Sequence, residues 1–379
     1  MAGIYVHIPF CKQACHYCNF HFSTTFSGYR AEIIQSIQRE MEIRSAFFTS
    51  EEQPVQTVYF GGGTPSLLCP EELDDLTNSL WKTFNIASDA EVTLEANPDD
   101  MSEAFIQHLR NTPVNRLSIG IQSLDEKDLQ YLHRAHNAEQ AIVSVERALS
   151  LGIKHISADL IFGIPTSGLD RLMHDVRKFA EAGVEHISAY GLTVEPKTAL
   201  DTLIKRKKYL PVDETKSATE MEWLMQFLPE MGYRQYEISN YALPGAESKH
   251  NSSYWERKPY LGLGPSAHSF RNRTRCWNVA NNSKYIQSIT TCQPFFEEEI
   301  LSEEDQYNEY VMTGLRTQRG ISDIYLKSTF HDRIQQYFQH QIQPFIQDAS
   351  VLKHSHQYTL SPKGKLFADQ ITEALFYIP

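Results

Sequence analysis

Six short apolar runs set the pattern of the first half of the chain. Ile4 to Ile8, Val55 to Phe60, Val92 to Ala96, Arg116 to Ile121, His155 to Phe162 and His186 to Leu192 are rich in β-branched and aromatic residues, the form of strands in a parallel sheet. Between them, Tyr29 to Phe47, Glu71 to Thr83, Ser102 to Arg110, Glu139 to Leu151 and Gly168 to Ala182 place apolar residues at helical spacing, as in Leu73, Leu76 and Leu80. This alternation predicts an α/β fold of six β/α units, a partial (β/α)6 barrel of the TIM type. Several strands end in polar or glycine-containing segments, HIPFCKQAC, GGGTP, EANP, GIQS and DLIFGIP. Parallel β/α folds carry their chemistry on such loops, at the carboxyl ends of the strands.

The alternation fades after about residue 200. A dense polar and aromatic run, KHNSSYWERKPYLGLGPSAHSF, follows; it is too aromatic for a linker. From Glu303 the pattern predicts a helix through Arg316, a turn at Arg319-Gly320, a helix over Arg333 to Gln341, then a hairpin and a last helix. That outline is a winged-helix-like α+β module. The expected division is 1–235 for the barrel, 236–300 for a connecting segment and 301–379 for the C-terminal module.

Composition narrows the function. With 41% hydrophobic residues the chain can build a substantial core, and a net charge of -12 argues against a general nucleic-acid binder. The tail offers no strongly basic recognition helix, so a cluster-bearing DNA regulator rests on its outline alone and no nucleic acid is expected. The start, MAGIYVHIPFCK, lacks the marks of a secretory signal, and no apolar stretch approaches a membrane span. A cytoplasmic protein is expected, with peripheral contact at the inner face of a membrane and homodimerisation left open.

Three of the six cysteines, Cys11, Cys15 and Cys18, fall within eight residues as CxxxCxxC, directly after the first strand. This is a metal-ligand arrangement rather than a disulfide framework. Three thiolates leave one iron of a cubane cluster open to another ligand, whereas structural zinc closes with four protein ligands; zinc completed by His16 or His21 is the alternative. The glycines of Phe60 to Pro65, FGGGTP, let backbone approach a ligand closely, and no Lys-Ser/Thr follows to make a phosphate loop.

CxxxCxxC with the aromatic Tyr17 before its last cysteine resembles the signature of the radical SAM superfamily. The resemblance implies a [4Fe-4S] cluster on the three cysteines, with S-adenosylmethionine chelating the open iron and receiving the electron that cleaves its carbon–sulfur bond. YVHIPFC, FGGGTP, EANP, IGIQS, HRAH, DLIFGIP and the tail further resemble oxygen-independent coproporphyrinogen III dehydrogenase and its relative, the HemW haem chaperone family. By that resemblance Tyr5, Gly62, Gly63, Thr64, Glu95, Gln122, Arg134 and Asp159 bind S-adenosylmethionine, a set whose carboxylates, guanidinium and amide suit its ribose, ammonium and carboxylate.

Two departures weigh against the dehydrogenase. Phe20 stands where that enzyme has a further cysteine, and only four residues precede Tyr5 where it carries a longer segment. HNSSYW, containing His250, Asn251, Tyr254 and Trp255, matches the HNxxYW pattern associated with the chaperones. The resemblance therefore implies haem as cargo at those four residues, delivered to a membrane-bound respiratory acceptor, with porphyrinogen decarboxylation as the second reading. His268 is a lesser haem candidate; Cys69, Cys276 and Cys292 are expected to be ordinary thiols.

Overall fold

The computed structural model describes residues 2–378. The six apolar runs form parallel strands β1 (Gly3–Ile8), β2 (Val55–Gly62), β3 (Ile86–Ala96), β4 (Arg116–Gln122), β5 (His155–Phe162) and β6 (His186–Gly191), side by side in chain order. Helices α1 (Arg30–Ile43), α2 (Pro70–Thr83), α3 (Glu103–Leu109), α4 (Glu126–Leu132), α5 (Ala138–Ser150) and α6 (Leu169–Glu181) connect them. Along each strand the side chains alternate in character. Ile4 and Val6, Val58 and Phe60, Val92 and Leu94, and Leu117 and Ile119 are fully or almost fully buried in the main apolar core. The intervening positions are polar or aromatic: Tyr5 and His7, Thr57 and Tyr59, Thr93 and Glu95, Arg116 and Ser118, Ser157 and Asp159. Side chains of a strand point alternately to its two faces, so the six strands pack one face under helices and turn a polar face to the barrel interior.

The next stretch holds α7 (Ala199–Lys205), α8 (Glu214–Glu230), β7 (Arg234–Gln235), β8 (Asn240–Ala242), α9 (Lys249–Trp255), β9 (Tyr260–Leu263), β10 (His268–Arg271), β11 (Thr274–Asn278), α10 (Asn282–Thr290) and β12 (Phe296–Ile300). Both open edges of the parallel sheet are taken up by it. β9 lies parallel to β1 and leads into the antiparallel β10, β11 and β12, while β8 and β7 add antiparallel strands beside β6. Capping each edge this way removes the unpaired backbone that a partial barrel otherwise exposes. A buried carboxylate fastens this addition to α1: Glu40 accepts from Gly264 N–H at 2.8 Å, Asn278 Nδ2 at 2.8 Å and the Tyr285 hydroxyl at 2.6 Å.

α9 closes the end of the barrel where the strands begin. Ser248 caps it by accepting from Asn251 N–H at 3.2 Å, and the Glu91 carboxylate of β3 accepts from Lys249 N–H at 3.0 Å and His250 N–H at 2.8 Å. The Arg116 guanidinium donates to Ala246 O at 3.1 Å and Ser157 Oγ at 3.0 Å. Gly3 makes room for this plug, since a Cβ there would stand 2.7 Å from Thr57 Oγ1 and 3.4 Å from the His250 ring.

The C-terminal part has its own apolar core, with Tyr307, Val311, Ile321, Leu326, Ile334, Phe338, Tyr358 and Ile371 inside it. Helices α11 (Glu303–Leu315), α12 (Asp323–Thr329) and α13 (Asp332–Gln341) pack with a three-stranded sheet, ordered β13 (Ile321–Ser322), β15 (Gln357–Leu360), β14 (Val351–His354), and a last helix, Ala368–Leu375. This is the expected winged-helix-like outline, helices followed by a hairpin. No helix among the described residues is long and apolar enough to cross a membrane.

Candidate functional site

The carboxyl ends of the strands surround a cavity of about 500 Å³. The loop after β1 brings Cys11, Cys15 and Cys18 to its wall, each half-buried and unpaired. That loop is pinned rather than loose: Cys11 N–H donates to Ser23 O at 3.0 Å, Ser23 N–H to Pro9 O at 2.8 Å and His16 N–H to Leu132 O at 3.1 Å. Burial pushes the Cys11 thiol up to about 11 and raises that of Cys18 as well, so the ligand-free site holds these as thiols and a metal must displace their protons. Among the described residues no three His, Cys, Asp or Glu side chains gather tightly enough to hold a single ion. The three thiols line one cavity, and three protein ligands are the number that leaves one iron of a cubane cluster open.

FGGGTP forms the adjoining wall. Gly62 has φ +109°, and its N–H donates to Glu95 Oε2 at 3.0 Å. A Cβ on Gly63 would meet Phe10 O at 2.6 Å and Ile8 O at 2.8 Å, so backbone can pass this close only without a side chain. Thr64 Oγ1 donates to Cys11 Sγ at 3.5 Å and accepts from Asn97 Nδ2 at 3.2 Å.

Charged groups complete the cavity. Arg134 donates to Cys15 Sγ at 3.2 Å, Asn97 Oδ1 at 2.6 Å and Gly120 O at 2.7 Å. Burial raises Glu95 to about 7 against the hydrogen bonds it accepts from Tyr59 (2.8 Å) and Gly62, with Asp159 adding to the rise. Burial likewise lifts Asp159 to about 6, opposed by Ser188 and Ser118. Two carboxyls so placed lower their desolvation cost by taking up a cationic ligand. The donor set therefore fits S-adenosylmethionine, whose sulfonium and ammonium are cations and whose carboxylate suits Arg134. Gln122, at φ 69° beside a register shift between β4 and β5, also reaches the wall; an unstrained strand would not end in that conformation.

Tyr5 takes a different place from the other expected cofactor residues. It does not line the cavity; its ring lies one layer below, stacked with Tyr59 at 6.0 Å, and its hydroxyl meets His7 Nδ1 at 3.3 Å. Sequence reasoning passed over Asn97, which joins Thr64 to Arg134, and Tyr190, which lines the far wall. The EANP segment held a signal for Asn97, an amide at a strand end two residues after Glu95. Phe20, 70% exposed, also lines the cavity.

The HNSSYW residues lie elsewhere. His250 is 1% exposed, with Nδ1 2.8 Å from Thr57 Oγ1 and Nε2 3.0 Å from the Tyr254 hydroxyl, and its ring stacks on Tyr59 at 5.0 Å. Burial lowers it to about 3. Both ring nitrogens are engaged by hydroxyls in this arrangement, so iron would have to displace one of them to reach the imidazole lone pair. Thr57 and Gly62 are five residues apart on β2, which puts His250 and the cysteines at opposite ends of the barrel, roughly 16 Å apart along the strand. Tyr59 links the two ends, with its ring on His250 and its hydroxyl on Glu95. Asn251 is half-buried in the first turn of α9, and Tyr254 packs edge-on against Tyr260 at 4.4 Å. Of the four expected haem residues Trp255 alone lines an open space, a cleft of about 630 Å³ shared with the C-terminal module, where Ser252 of the same run joins it.

The radical SAM superfamily matches residues 5–179 and the HemN C-terminal domain residues 301–367. The curated "Heme chaperone HemW" of Bacillus subtilis (strain 168) is 33% identical over 374 residues, covering 98% of each chain, and that of Lactococcus lactis subsp. lactis (strain IL1403) is 31% identical over 370 residues, covering 97% of this chain and 96% of its own. Among solved structures, the radical SAM enzyme coproporphyrinogen III oxidase (HemN) from Escherichia coli superposes with a TM-score of 0.85 at 20% identity, over 99% of this chain and 90% of its own; at that identity the likeness speaks for the fold. The full-length identity to curated relatives, joined to three cysteines over a glycine-walled cavity, places the chain in the HemW family of the radical SAM superfamily.

Proposed function

We propose that this protein binds haem and hands it to a membrane-bound respiratory acceptor, with a [4Fe-4S] cluster on Cys11, Cys15 and Cys18 and S-adenosylmethionine in the adjoining cavity. The observation that carries this reading is the pairing of a complete cofactor cavity with full-length similarity to proteins named heme chaperones. When bound, the cluster supplies an open iron and an electron. The chain's own residues do the positioning: Gly62, Gly63 and Thr64 bring backbone against the ligand, Arg134 takes its carboxylate, and Glu95 and Asp159 face its cationic and ribose groups while Gln122 donates or accepts beside them. Tyr5 supports this set from below through Tyr59. In this reading residues 1–235 hold the cofactor, 236–300 supply the plug and outer strands, and 301–379 form the C-terminal module.

Phe20 favours the chaperone over the decarboxylase, because an exposed phenyl ring at the cavity wall offers apolar surface where a cysteine would offer a thiol. The test supplies anaerobic, cluster-loaded protein with coproporphyrinogen III, S-adenosylmethionine and reductant, and in parallel mixes the haem-loaded form with membranes holding haem-depleted respiratory enzyme. Haem transfer without protoporphyrinogen is the expected result. Protoporphyrinogen formed at an enzymatic rate would replace the reading with the decarboxylase.

A further inference from the structure

The cleft that Trp255 faces lies between α9, β10 and the C-terminal module, with Tyr310 of α11 and Tyr325 of α12 across from it. Its volume, about 630 Å³, falls among ligand sites of roughly 300–1,000 Å³. Tyr236, Trp255, Phe270, Tyr310 and Tyr325 give the walls an aromatic part among residues that are mostly polar. Tyr310 and Tyr325 have ring centroids 4.5 Å apart, and Phe270 lines the barrel side beneath the Arg257 guanidinium, 5.7 Å from its ring. Large, stiff aromatic faces cover a flat ligand at little cost in side-chain entropy.

The two tyrosines are not equivalent. Tyr310 has its hydroxyl engaged, accepting from Ser322 N–H at 2.7 Å. Tyr325 is 40% exposed and lines the cleft. Arg257 stands among them: its guanidinium pairs with Glu309 at 3.4 Å, yet its buried Nε has no partner. Arg257 and Tyr325 line the same cleft, and burial presses Arg257 below its ordinary value. A buried guanidinium nitrogen left without an acceptor is costly, and a cation beside an anionic oxygen is the arrangement that removes the cost. At the rim, Arg319 and Lys258 both lean on Glu256, two cations that can exchange that carboxylate for those of a ligand.

Resting on the proposal that the protein carries haem, we infer that the cargo site is this cleft, with the macrocycle against Trp255 and the ferric iron bound by the Tyr325 oxygen beside Arg257. Tyrosinate is an established type of axial ligand to ferric haem. Binding breaks the phenolic O–H bond, forms one iron–oxygen bond and displaces the water that ferric haem carries in solution, with the phenolic proton released to solvent; no electron moves. The haem carboxylates lie at the Arg319 and Lys258 rim. HNSSYW then contributes through Trp255, while His250 serves the plug that holds α9 in place. Cargo and cofactor occupy opposite ends of one barrel, and the cleft opens on the module that lies outside the radical SAM match.

The experiment titrates ferric haem and metal-free protoporphyrin IX separately into full-length, cluster-loaded protein, reading affinity by absorbance and fluorescence and the iron ligand by electron paramagnetic resonance. Wild type is expected to bind one haem with a tyrosinate signature. Tyr325→Phe loses that signature and about tenfold or more in haem affinity while keeping protoporphyrin affinity, Tyr325→His restores haem binding with an imidazole signature, and Trp255→Ala weakens both ligands. Haem bound by wild type with an unchanged spectrum and affinity in Tyr325→Phe overturns the placement and leaves the carrier reading standing. No saturable haem binding by wild type overturns both.

Discussion

Glu95 sits where fold and cofactor meet, and replacing it with glutamine separates their demands. In the ligand-free protein the carboxyl is raised from the ordinary 4.5 to about 7, chiefly by burial. A raised carboxyl binds its proton more tightly in the folded than in the unfolded chain, so its contribution to stability is full below pH 4.5 and is lost as the pH rises through 7. A rise of this size corresponds to about 3 kcal/mol. Ligand-free Glu95→Gln is therefore expected to be more stable than wild type at pH 8, by up to about 3 kcal/mol, with the gap narrowing toward pH 6. Asp159, raised to about 6, adds a slope of the same sign to both proteins, a smaller one in the variant because the Glu95 charge that repels it is gone. Cofactor affinity runs the other way. Loss of one charge-assisted contact costs about 1.5–3 kcal/mol, or roughly ten- to a hundredfold in affinity. Because only about a tenth of a group with a value near 7 is ionised at pH 6, wild-type affinity should fall about tenfold between pH 8 and pH 6, while that of Glu95→Gln stays flat. Urea unfolding across this range, with calorimetric titration of S-adenosylmethionine into cluster-loaded protein, reads both. A stability difference independent of pH, or equal affinities at pH 8, would refute the reasoning.

Changing Cys11, Cys15 or Cys18 to alanine should abolish the brown colour and the iron and sulfide, expected at about four each, as measured by metal and sulfide analysis; Cys276→Ala, at a thiol outside the cavity lining, should retain them. Glu40→Ala should destabilise the protein by about 3–5 kcal/mol in urea unfolding, because it strands Gly264 N–H, Asn278 and Tyr285 inside the core, whereas Glu40→Gln should cost less than half of that. Gly63→Ala should lower S-adenosylmethionine affinity at least tenfold in the same calorimetric titration, since its methyl group must push Phe10 O or Ile8 O aside, and Gly168→Ala, with open space around it, should leave affinity unchanged.

Much of the barrel was legible because strands that pack on both sides write their length into the sequence. β5 runs from His155 to Phe162 as the apolar run indicates, and β1, β2, β4 and β6 differ from expectation by one or two residues. β3 starts six residues earlier than its apolar stretch, at Ile86, because that extension is half-exposed or exposed over its first four residues and touches β2 only through Val55 before the register shifts. α1 stops at Ile43 rather than reaching Phe47, its last turn tightening as Ser45 N–H bonds Glu42 O. Strands β9 to β12 left no comparable trace. They are four or five residues long, and β9 pairs with β1 across most of the chain's length, a partnership no local pattern encodes.

The site divided along the same line. Cys11, Cys15, Cys18, Gly62, Gly63, Thr64, Glu95, Gln122, Arg134 and Asp159 all line one cavity, since strand-end loops in a parallel barrel converge whatever their separation in sequence. His250 shows the limit of residue type: an imidazole suggests a ligand, but only the packing of α9 beneath β1 and β2 reveals that both ring nitrogens are engaged by hydroxyls. Trp255, five residues later and on the other side of the same short helix, faces open space together with Ser252.

The central claim, that this radical SAM fold is a haem carrier, is tested most directly by equilibrium titration of ferric haem into anaerobic, cluster-loaded protein, with haem, iron and sulfide counted in the isolated complex. The account predicts saturation at one haem per chain with the cluster intact. Haem that fails to saturate, or that binds only as the cluster is lost, would contradict it.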